Sequence, residues 1–416
     1  MSASPPPVLH PFALPALAAG RYVEIVRGQG CLVWDCDGKE YLDGTASLWY
    51  CMVGHGRSEI ADAVARQMGQ IAAYQTFSPF TNRPSLELAE AILARAPLPD
   101  GRVFFTSGGS EAVDSALKIA RVAHFQGGEP ERVVILSRCP SYHGVTFGAL
   151  SATGLALNRQ GFGPLVGAVH QAPHDDLLAM REAVADHGPD RIAAIIAEPV
   201  IGAGGLYPPA PGYLEGLREL CDECGAFLIL DEVITGFGRL GSWFGAQHFG
   251  VTPDLLTFAK GVTSGYLPVG GVVLGRRVCE LLERDGAFLF RHGTTYAAHP
   301  TCCAAGVANI AILERERLPD RAAEAGFELR AALEQLAGHP LVAEVRGVGL
   351  MQAIALVEGA DAVALAGKML ELGLIGRPIP SARVVAFSPA LVIDDGQIDR
   401  LADLAGQALA GMPAPA

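Results

Sequence analysis

The stretch from Ala226 to Gly261 constrains the fold most, because two short apolar runs in it each end at a reactive side chain. Phe227 to Leu230 is typical of a buried strand in a parallel sheet, and the carboxylate of Asp231 follows it directly. A second apolar run leads to Lys260. Open α/β sheets bind ligands at the carboxyl ends of their strands. The pattern therefore predicts an α/β fold in which an acid and an amine meet at one sheet edge.

Lys260 differs from the other lysines of the chain in its surroundings. Lys39 lies in a polar turn, and Lys118 and Lys368 lie in helix-like stretches where a solvated face is the ordinary interpretation. Lys260 closes an apolar run and is followed by a glycine. A desolvated lysine loses its proton more easily and can form a Schiff base with an aldehyde. A salt-bridged lysine at a strand end is the alternative interpretation of this stretch alone.

Other apolar runs also end at polar side chains. VFFT precedes a loop of small residues from Ser107 to Ser110 and then a helical pattern. Another run precedes Tyr142 and His143, and a third precedes Glu198. A small-residue loop before a helix can bind an anion through backbone N–H groups, although structural capping is the alternative. The convergence of so many strand ends on polar groups predicts one functional site.

The chain of 416 residues suits one large domain and a smaller one. The large domain is predicted over residues 56–312. Residues 1–55 are assigned to an N-terminal arm and part of the small domain, and residues 313–416 to its C-terminal part. Residues 22–43 alternate like a small antiparallel sheet, whereas residues 1–20 are predicted to form a Pro-rich arm.

Charge and composition exclude several classes of function. A formal net charge of −13 without a Lys/Arg block argues against nucleic-acid binding. Gly, Pro or a charge interrupts every apolar run before transmembrane length, so no membrane span is predicted. The 9 cysteines are scattered and the start lacks a basic signal region, which predicts a cytoplasmic protein. Cys221 and Cys224 have no second pair at zinc-like spacing, so no metal site is predicted.

These polar groups suit one cofactor chemistry. An aldehyde cofactor with a phosphate and a ring nitrogen needs a lysine for the aldehyde and a carboxylate for the nitrogen. An aromatic side chain can stack on its ring, and a helix entrance can bind its phosphate. Lys260, Asp231, Tyr142 and the loop from Ser107 to Ser110 supply these groups. The sequence therefore predicts pyridoxal 5′-phosphate, with Lys260 first as covalent anchor and then as the base that moves the substrate α-proton.

Nearly the whole chain resembles the class III aminotransferases of the fold-type I pyridoxal-phosphate family, and more narrowly the ω-transaminases. The motifs that carry the resemblance are FFTSGGSEAVDSALKIAR, SYHG, AEPVIGAGG, LILDEVITGFGRLG, TFAKGVTSGYLPVGG and HGTTYAAHP. The resemblance implies a mostly parallel seven-stranded sheet between helices and a smaller α+β domain built from both termini. It also implies a homodimer, or a tetramer of such dimers, with each site built from both chains.

The resemblance also implies roles for individual residues around the cofactor ring. Lys260 would be the Schiff-base lysine, and Asp231 would pair with the pyridinium nitrogen. Tyr142 would stack on one ring face and Val233 would pack on the other, while Glu198 would support the Asp231 and ring-oxygen network. The complete expected cofactor-binding set is Ser107, Gly109, Ser110, Tyr142, His143, Glu198, Asp231, Val233, Lys260 and Thr295.

The implied phosphate site uses Gly109 and Ser110, with Thr295 reaching the same phosphate from the second subunit. The family usually has N-S-G-S-E-A-N-D where this chain has Ser-Gly-Gly-Ser-Glu-Ala-Val-Asp from Ser107 to Asp114. These departures exchange side-chain hydrogen bonds for backbone freedom in the phosphate loop.

At the substrate end, Trp49 and Phe77 are implied to line the pocket, whereas Tyr50 is expected in the core. Arg377, predicted to lie in a loop, matches the mobile arginine that meets a substrate carboxylate, and Arg383 is the reserve candidate. The predicted reaction moves an amino group from an ω-amino acid or primary amine to a keto acid such as pyruvate, with ping-pong kinetics.

Several alternatives to this reaction remain open on the sequence. One is a class III transaminase specific for acetylornithine, 4-aminobutyrate or diaminopelargonate. Another is an aminomutase or racemase on the same cofactor. A non-catalytic binding protein that keeps the fold is disfavoured by the joint presence of Lys260, Asp231 and Tyr142.

Overall fold

A computed structural model describes residues 6–17 and 22–413 of the chain. The predicted Pro-rich arm over residues 1–20 therefore lies partly outside the described residues. Its described part, residues 6–17, contains turns and bends but no helix or strand. Within the described ranges, no helix combines the length and apolarity that a bilayer crossing requires.

The strands follow one another from the N-terminal hairpins to a C-terminal sheet. In chain order they are β1 (Ile25–Gln29), β2 (Leu32–Asp35), β3 (Glu40–Asp43), β4 (Arg102–Thr106), β5 (Val134–Cys139), β6 (Val169–Pro173), β7 (Ile192–Ala197), β8 (Phe227–Asp231), β9 (Leu255–Phe258), β10 (Gly270–Leu274), β11 (Val342–Val348), β12 (Met351–Leu356), β13 (Leu374–Ile375), β14 (Arg377–Ile379) and β15 (Val384–Phe387).

Helices alternate with the central strands and dominate the C-terminal part. In chain order they are α1 (Ala46–Trp49), α2 (Ser58–Gln70), α3 (Arg83–Leu93), α4 (Gly109–Gly127), α5 (Phe147–Ala152), α6 (Ala156–Arg159), α7 (Leu177–His187), α8 (Tyr213–Cys224), α9 (Gly245–His248), α10 (Arg276–Glu283), α11 (Pro300–Arg315), α12 (Leu318–Glu334), α13 (Ala362–Glu371) and α14 (Asp395–Ala410). Short 3-10 turns cover Pro189–Arg191, Lys260–Val262 and Pro380–Ala382.

The largest sheet has seven strands in the order β4-β10-β9-β8-β7-β5-β6. Strands β6, β5, β7, β8 and β9 pair in parallel, and β10 is antiparallel to both of its neighbours. Every residue of β7 and β8 is buried. Continuous burial is expected of parallel strands covered by helices on both faces, and it explains the unbroken apolar runs. The predicted mostly parallel seven-stranded sheet is confirmed.

The carboxyl ends of β4, β5, β7, β8 and β9 lie at one edge of this sheet, because β4 and β9 both run antiparallel to β10. The register pairs Asp231, the last residue of β8, with Thr257 in β9. Glu198 follows β7 directly, and Lys260 begins the 3-10 turn that follows β9. Strand pairing therefore brings these side chains to the same edge.

Two smaller sheets contain four strands each, in the orders β1-β2-β3-β13 and β11-β12-β15-β14. In the first sheet, strand β13 from the C-terminal part pairs in parallel with β3 from the N-terminal part. The predicted antiparallel pairing within residues 22–43 is confirmed, and its turn contains Gly38 with φ 83°. The domain boundaries at 55/56 and 312/313 stay a prediction. The predicted loop position of Arg377 is wrong, because this residue begins β14 and pairs with Ala386.

Candidate active site

A cavity of about 400 Å³ opens at the carboxyl edge of the large sheet. Residues from several segments that are distant in sequence line it, because the strand ends converge there. The members of the expected cofactor-binding set that line the cavity are Ser107, Gly109, Ser110, Tyr142, His143, Glu198, Asp231, Val233 and Lys260.

Asp231 is fixed in one orientation at the end of β8. It is 5% exposed, and its Oδ2 lies 2.7 Å from His143 Nδ1. Its Oδ1 accepts hydrogen bonds from Thr257 Oγ1 at 2.9 Å and from the Val233 N–H at 3.2 Å. Donors on both oxygens stabilise a carboxylate inside the protein. Thr257 was not predicted from the sequence, although its place inside an apolar strand next to the Asp231 strand was a usable signal.

His143 is buried, and it contacts both Asp231 and Thr153. Its backbone N–H donates to Thr153 Oγ1 at 2.9 Å, which anchors the residue. Since the Asp231 carboxylate can only accept a hydrogen bond, the Nδ1 atom of the His143 imidazole carries the hydrogen. Its Nε2 atom has no hydrogen-bond partner among the described residues. The imidazole thus acts as a fixed donor behind the Asp231 carboxylate.

Lys260 lies just beyond β9 in an unusual backbone conformation, with φ 40°. A non-glycine residue in this left-handed region costs free energy and is commonly held by its surroundings at functional sites. Burial lowers the pKa of Lys260, and the negative charges of Asp231 and Glu198 oppose that shift. Burial therefore makes the uncharged amine, which is the nucleophilic form, easier to reach.

Glu198 holds the loops on either side of it. Its Oε1 accepts from the Tyr142 N–H at 3.0 Å, and its Oε2 accepts from the Gly202 N–H at 3.0 Å. Burial raises the pKa of the Glu198 carboxyl; His143 opposes this shift and the nearby Asp231 adds to it. Glu198 therefore fixes the Tyr142 loop next to the Asp231 carboxylate.

The start of α4 lines the cavity and is suited to hold an anion there. The N-cap residue of α4 is Gly108, which has no side chain to cap the helix. The first backbone N–H groups of α4 therefore stay available to a ligand. Ser110 Oγ accepts from the Val145 N–H at 3.0 Å, which leaves the hydroxyl hydrogen free to donate. A Cβ at Gly109 would lie 2.9 Å from Val233 Cγ1, so this position needs glycine. Val113, where the family has Asn, is fully buried in an apolar cluster and contributes packing instead.

The chain matches one enzyme family over almost its whole length. The family model described as aminotransferase class-III matches residues 17–409. The chain is a class III aminotransferase. A putrescine–pyruvate aminotransferase of Pseudomonas aeruginosa is 38% identical to it over 413 residues, which cover 92% of this chain and 90% of that protein.

Solved structures give the same family. An (S)-enantioselective omega-transaminase from Thermomicrobium roseum superposes with a TM-score of 0.92 at 38% identity, covering 97% of this chain and 95% of that one. An amine transaminase from an uncultivated Pseudomonas species, in its pyridoxal-phosphate-bound form, has a TM-score of 0.93 at 35% identity and coverages of 98% and 99%. The predicted family, fold type and cofactor, pyridoxal 5′-phosphate, are confirmed.

At the substrate end of the aminotransferase, the adjacent aromatics Trp49 and Tyr50 lie differently relative to the cavity, and the expected substrate contact of Trp49 stays a prediction. Tyr50 is half-buried and lines the cavity, so its expected core position is wrong. Trp49 is 4% exposed and belongs to an apolar cluster with Ile234 and Val200, both of which line the cavity. Trp49 therefore lies behind the cavity wall in the single chain. Val200 and Ile234 were not predicted from the sequence, since apolar residues after strands carry no local signal of a pocket.

The two candidate arginines of the aminotransferase are both exposed. Burial and the negative charge of Asp231 raise the pKa of Tyr142, and the positive charge of Arg377 opposes this shift. This coupling puts the Arg377 guanidinium within electrostatic range of a cavity residue. Arg383 sits in a left-handed backbone conformation with φ 52° at the end of a 3-10 turn.

Phe77 and Thr295 lie away from the cavity of the described chain, on an exposed surface. Phe77 is 55% exposed, and its Cζ lies 3.9 Å from where a Cβ at Gly293 would be. Thr76 Oγ1 donates to the Ala297 carbonyl at 3.2 Å, which joins the same two loops. Thr295 is exposed on the second of these loops.

Proposed function

We propose that this aminotransferase moves an amino group from an ω-amino acid or a primary amine to a keto acid such as pyruvate, in a ping-pong cycle. One observation carries the proposal: Lys260, made less basic by burial, lines the same cavity as Asp231 and the start of α4. The similar proteins support the substrate class. One is named for putrescine and pyruvate, and the solved structures are named omega-transaminase and amine transaminase.

The residues of the cavity suit pyridoxal 5′-phosphate. Asp231 would hold the ring nitrogen, the start of α4 at Gly109 and Ser110 would hold the phosphate, and Tyr142 and Val233 would contact the ring. When bound, the cofactor supplies an electron sink for negative charge at the substrate α-carbon. The donors to Asp231 keep its carboxylate oriented, so its charge acts in a dry site where electrostatic effects are large.

Lys260 would have two tasks in the cycle. Its Nζ would hold the cofactor aldehyde in the resting enzyme. After a substrate amine has taken that place, the released Nζ would take the α-proton and return it at a different atom. A base works best when its pKa is near the working pH, and burial moves the pKa of Lys260 in that direction.

Recognition of substrate at the opposite end would depend on Arg377 and the aromatic wall. Tyr50 lines the cavity, and Trp49 supports it from behind. A guanidinium binds a carboxylate in a bidentate fashion, and Arg377 is close enough to influence Tyr142 electrostatically. Arg377 would therefore bind the carboxylate of an ω-amino acid and move aside for a simple amine.

The active enzyme would be a homodimer with shared sites. Thr295 and Phe77 would reach the cavity of the partner, Thr295 at the phosphate and Phe77 at the substrate. The chain segments that carry them, residues 68–80 and 289–296, support this proposal because they expose large apolar side chains: Met68, Ile71, Tyr74, Phe77, Phe80, Leu289 and Tyr296. Apolar patches of this kind mark interfaces between proteins.

An absorbance titration of the purified holoenzyme tests the proposal. We expect a visible cofactor band that bleaches with ω-amines such as putrescine or β-alanine and returns when pyruvate is added. The donors that bleach the band define the substrate class. A band that no amine bleaches would contradict transamination of amines, and no band after addition of pyridoxal phosphate would contradict the role of Lys260.

A further inference from the structure

A second cavity of about 280 Å³ lies beside the active site. Tyr50 and Gly265 line both cavities, so they form part of the wall between them. On the far side of this wall, the second cavity is lined by the thiol-bearing residue Cys51 and by His55. The proposed transamination mechanism uses neither residue.

Cys51, His55 and Asp43 form a chain of contacts typical of an activated nucleophile. Cys51 Sγ lies 3.7 Å from His55 Nδ1, and His55 Nε2 lies 3.2 Å from Asp43 Oδ2. Asp43 is itself held in place, because it accepts from Thr45 Oγ1 at 2.9 Å and from the Ser47 N–H at 2.6 Å. A nucleophile next to a base that a third group orients is the arrangement of cysteine enzymes and of reactive thiols.

The positive charges near Cys51 belong to His55 and Arg239. The hydrogen bond to Asp43, followed by the contact with Cys51, raises the pKa of His55 to about 10, so its imidazole is protonated at neutral pH. The guanidinium of Arg239 is fully buried within electrostatic range of Cys51, Cys31 and Asp43. Its Nε has no hydrogen-bond partner among the described residues. Two cations thus lie near one thiol, whereas Asp43 is already paired with His55.

Two further ionisable neighbours, Cys31 and Tyr266, add no negative charge near Cys51. Burial raises the pKa of the Cys31 thiol, which keeps it neutral. Burial also raises the pKa of Tyr266, whose hydroxyl accepts from the Arg57 N–H at 2.8 Å. Both groups are therefore uncharged at neutral pH.

We propose that Cys51 is an oxidisable thiol through which a small peroxide slows this enzyme. The Sγ thiolate attacks one peroxide oxygen, the O–O bond breaks, and a sulfenic acid forms on Cys51. The proton of His55 goes to the departing hydroxide and yields water, so the sulfur is oxidised and the peroxide is reduced. The cavity is large enough for a molecule of this size, although Cys51 is only 2% exposed.

The wall residues connect this oxidation to the active site. Tyr50 precedes Cys51 directly, and a Cβ at Gly265 would lie 2.2 Å from Tyr50 Cδ2. The Tyr50 ring therefore packs directly against the Gly265 backbone. An oxygen added to Sγ breaks the contact with His55 and displaces this segment. Since small displacements at a substrate site reduce rates strongly, we expect kcat/KM to fall about tenfold. This consequence rests on the proposed function, whereas the chemistry at Cys51 does not.

The experiment treats the holoenzyme with hydrogen peroxide in the presence of a sulfenic-acid-trapping dione, followed by peptide mapping by mass spectrometry. We expect label on Cys51 in preference to Cys36 and Cys139, which are exposed and serve as internal controls. The His55→Gln variant should label Cys51 about tenfold more slowly. Equal or greater label on the exposed thiols in the folded enzyme would overturn the proposal.

The Cys51→Ser variant gives a second test that does not depend on labelling. Serine keeps a hydrogen bond to His55, so we expect normal basal activity and an unchanged thermal unfolding midpoint. Peroxide should slow the wild-type enzyme about tenfold and leave this variant unaffected. A variant as sensitive as the wild type would overturn the link to the active site. The mass-spectrometric result does not depend on which amine the enzyme accepts. Failure of the proposed function can therefore be distinguished from failure of the proposal for Cys51.

Discussion

The hydrogen bond from Thr257 to Asp231 allows a quantitative test of the site. Both residues are buried, and Thr257 Oγ1 lies 2.9 Å from Asp231 Oδ1. Thr257→Val keeps the shape of the side chain and removes the donor. A hydrogen bond to a charged group contributes about 1.5–3 kcal/mol. Because about 1.4 kcal/mol corresponds to a tenfold change in rate, kcat/KM should fall roughly 10- to 150-fold.

The control for this prediction is Thr301→Val. Thr301 is also buried, and its Oγ1 donates to the Ala72 carbonyl at 2.6 Å, away from the cavity. Both variants should lose about 1 kcal/mol or more of unfolding free energy, measured by denaturant titration. Steady-state kinetics with a good amine donor should separate them, with only Thr257→Val losing kcat/KM. Equal kinetics in the two variants would refute the assignment of Thr257 as a positioning residue of Asp231.

Three further predictions concern single side chains. Lys260→Ala should lose the visible cofactor band and at least about 100-fold in kcat, because no other lysine among the described residues lines the cavity; an unchanged rate in steady-state assays would contradict its role. Arg377→Ala should raise KM about tenfold for β-alanine but not for a simple amine, whereas Arg383→Ala should change neither. The unfolding free energy should fall as pH rises from about 6.5 through about 10, because native His55 holds its proton up to about 10 and the unfolded chain releases it near 6.5. Denaturant titrations should show a smaller decline of the unfolding free energy with pH in His55→Gln. An equal decline in the variant and the wild type would exclude this linkage.

The sequence predicted much of the fold because parallel strands carry a strong local signal. Burial on both faces requires unbroken apolar runs, as in β7 and β8. Each of these runs ends where the strand reaches the edge of the sheet. The positions of Glu198, Asp231 and Lys260 after such runs therefore predicted one shared edge. The start of α4 was recognisable for the same reason, since small residues between a strand and a helix leave backbone N–H groups open.

Other parts of the site depended on contacts that no local pattern encodes. Thr257 reaches Asp231 through the register of β8 and β9, which forms only when the strands pair. In the irregular turn at α1, Ser47 and Trp49 have positive φ, so consecutive side chains do not follow the directions expected of a regular helix or strand. Tyr50 rather than Trp49 lines the cavity for that reason.

The sequence by itself determined which chemistry is present: a lysine, an aspartate and a helix entrance, each at the end of an apolar strand. Tertiary structure decided how those groups are tuned. Burial lowers the pKa of Lys260, and His143 and Thr257 orient Asp231. It also brought Cys51 and His55 next to the active-site wall. The reason is physical: strand formation follows from local hydrophobicity, whereas desolvation and side-chain contacts exist only after distant segments pack.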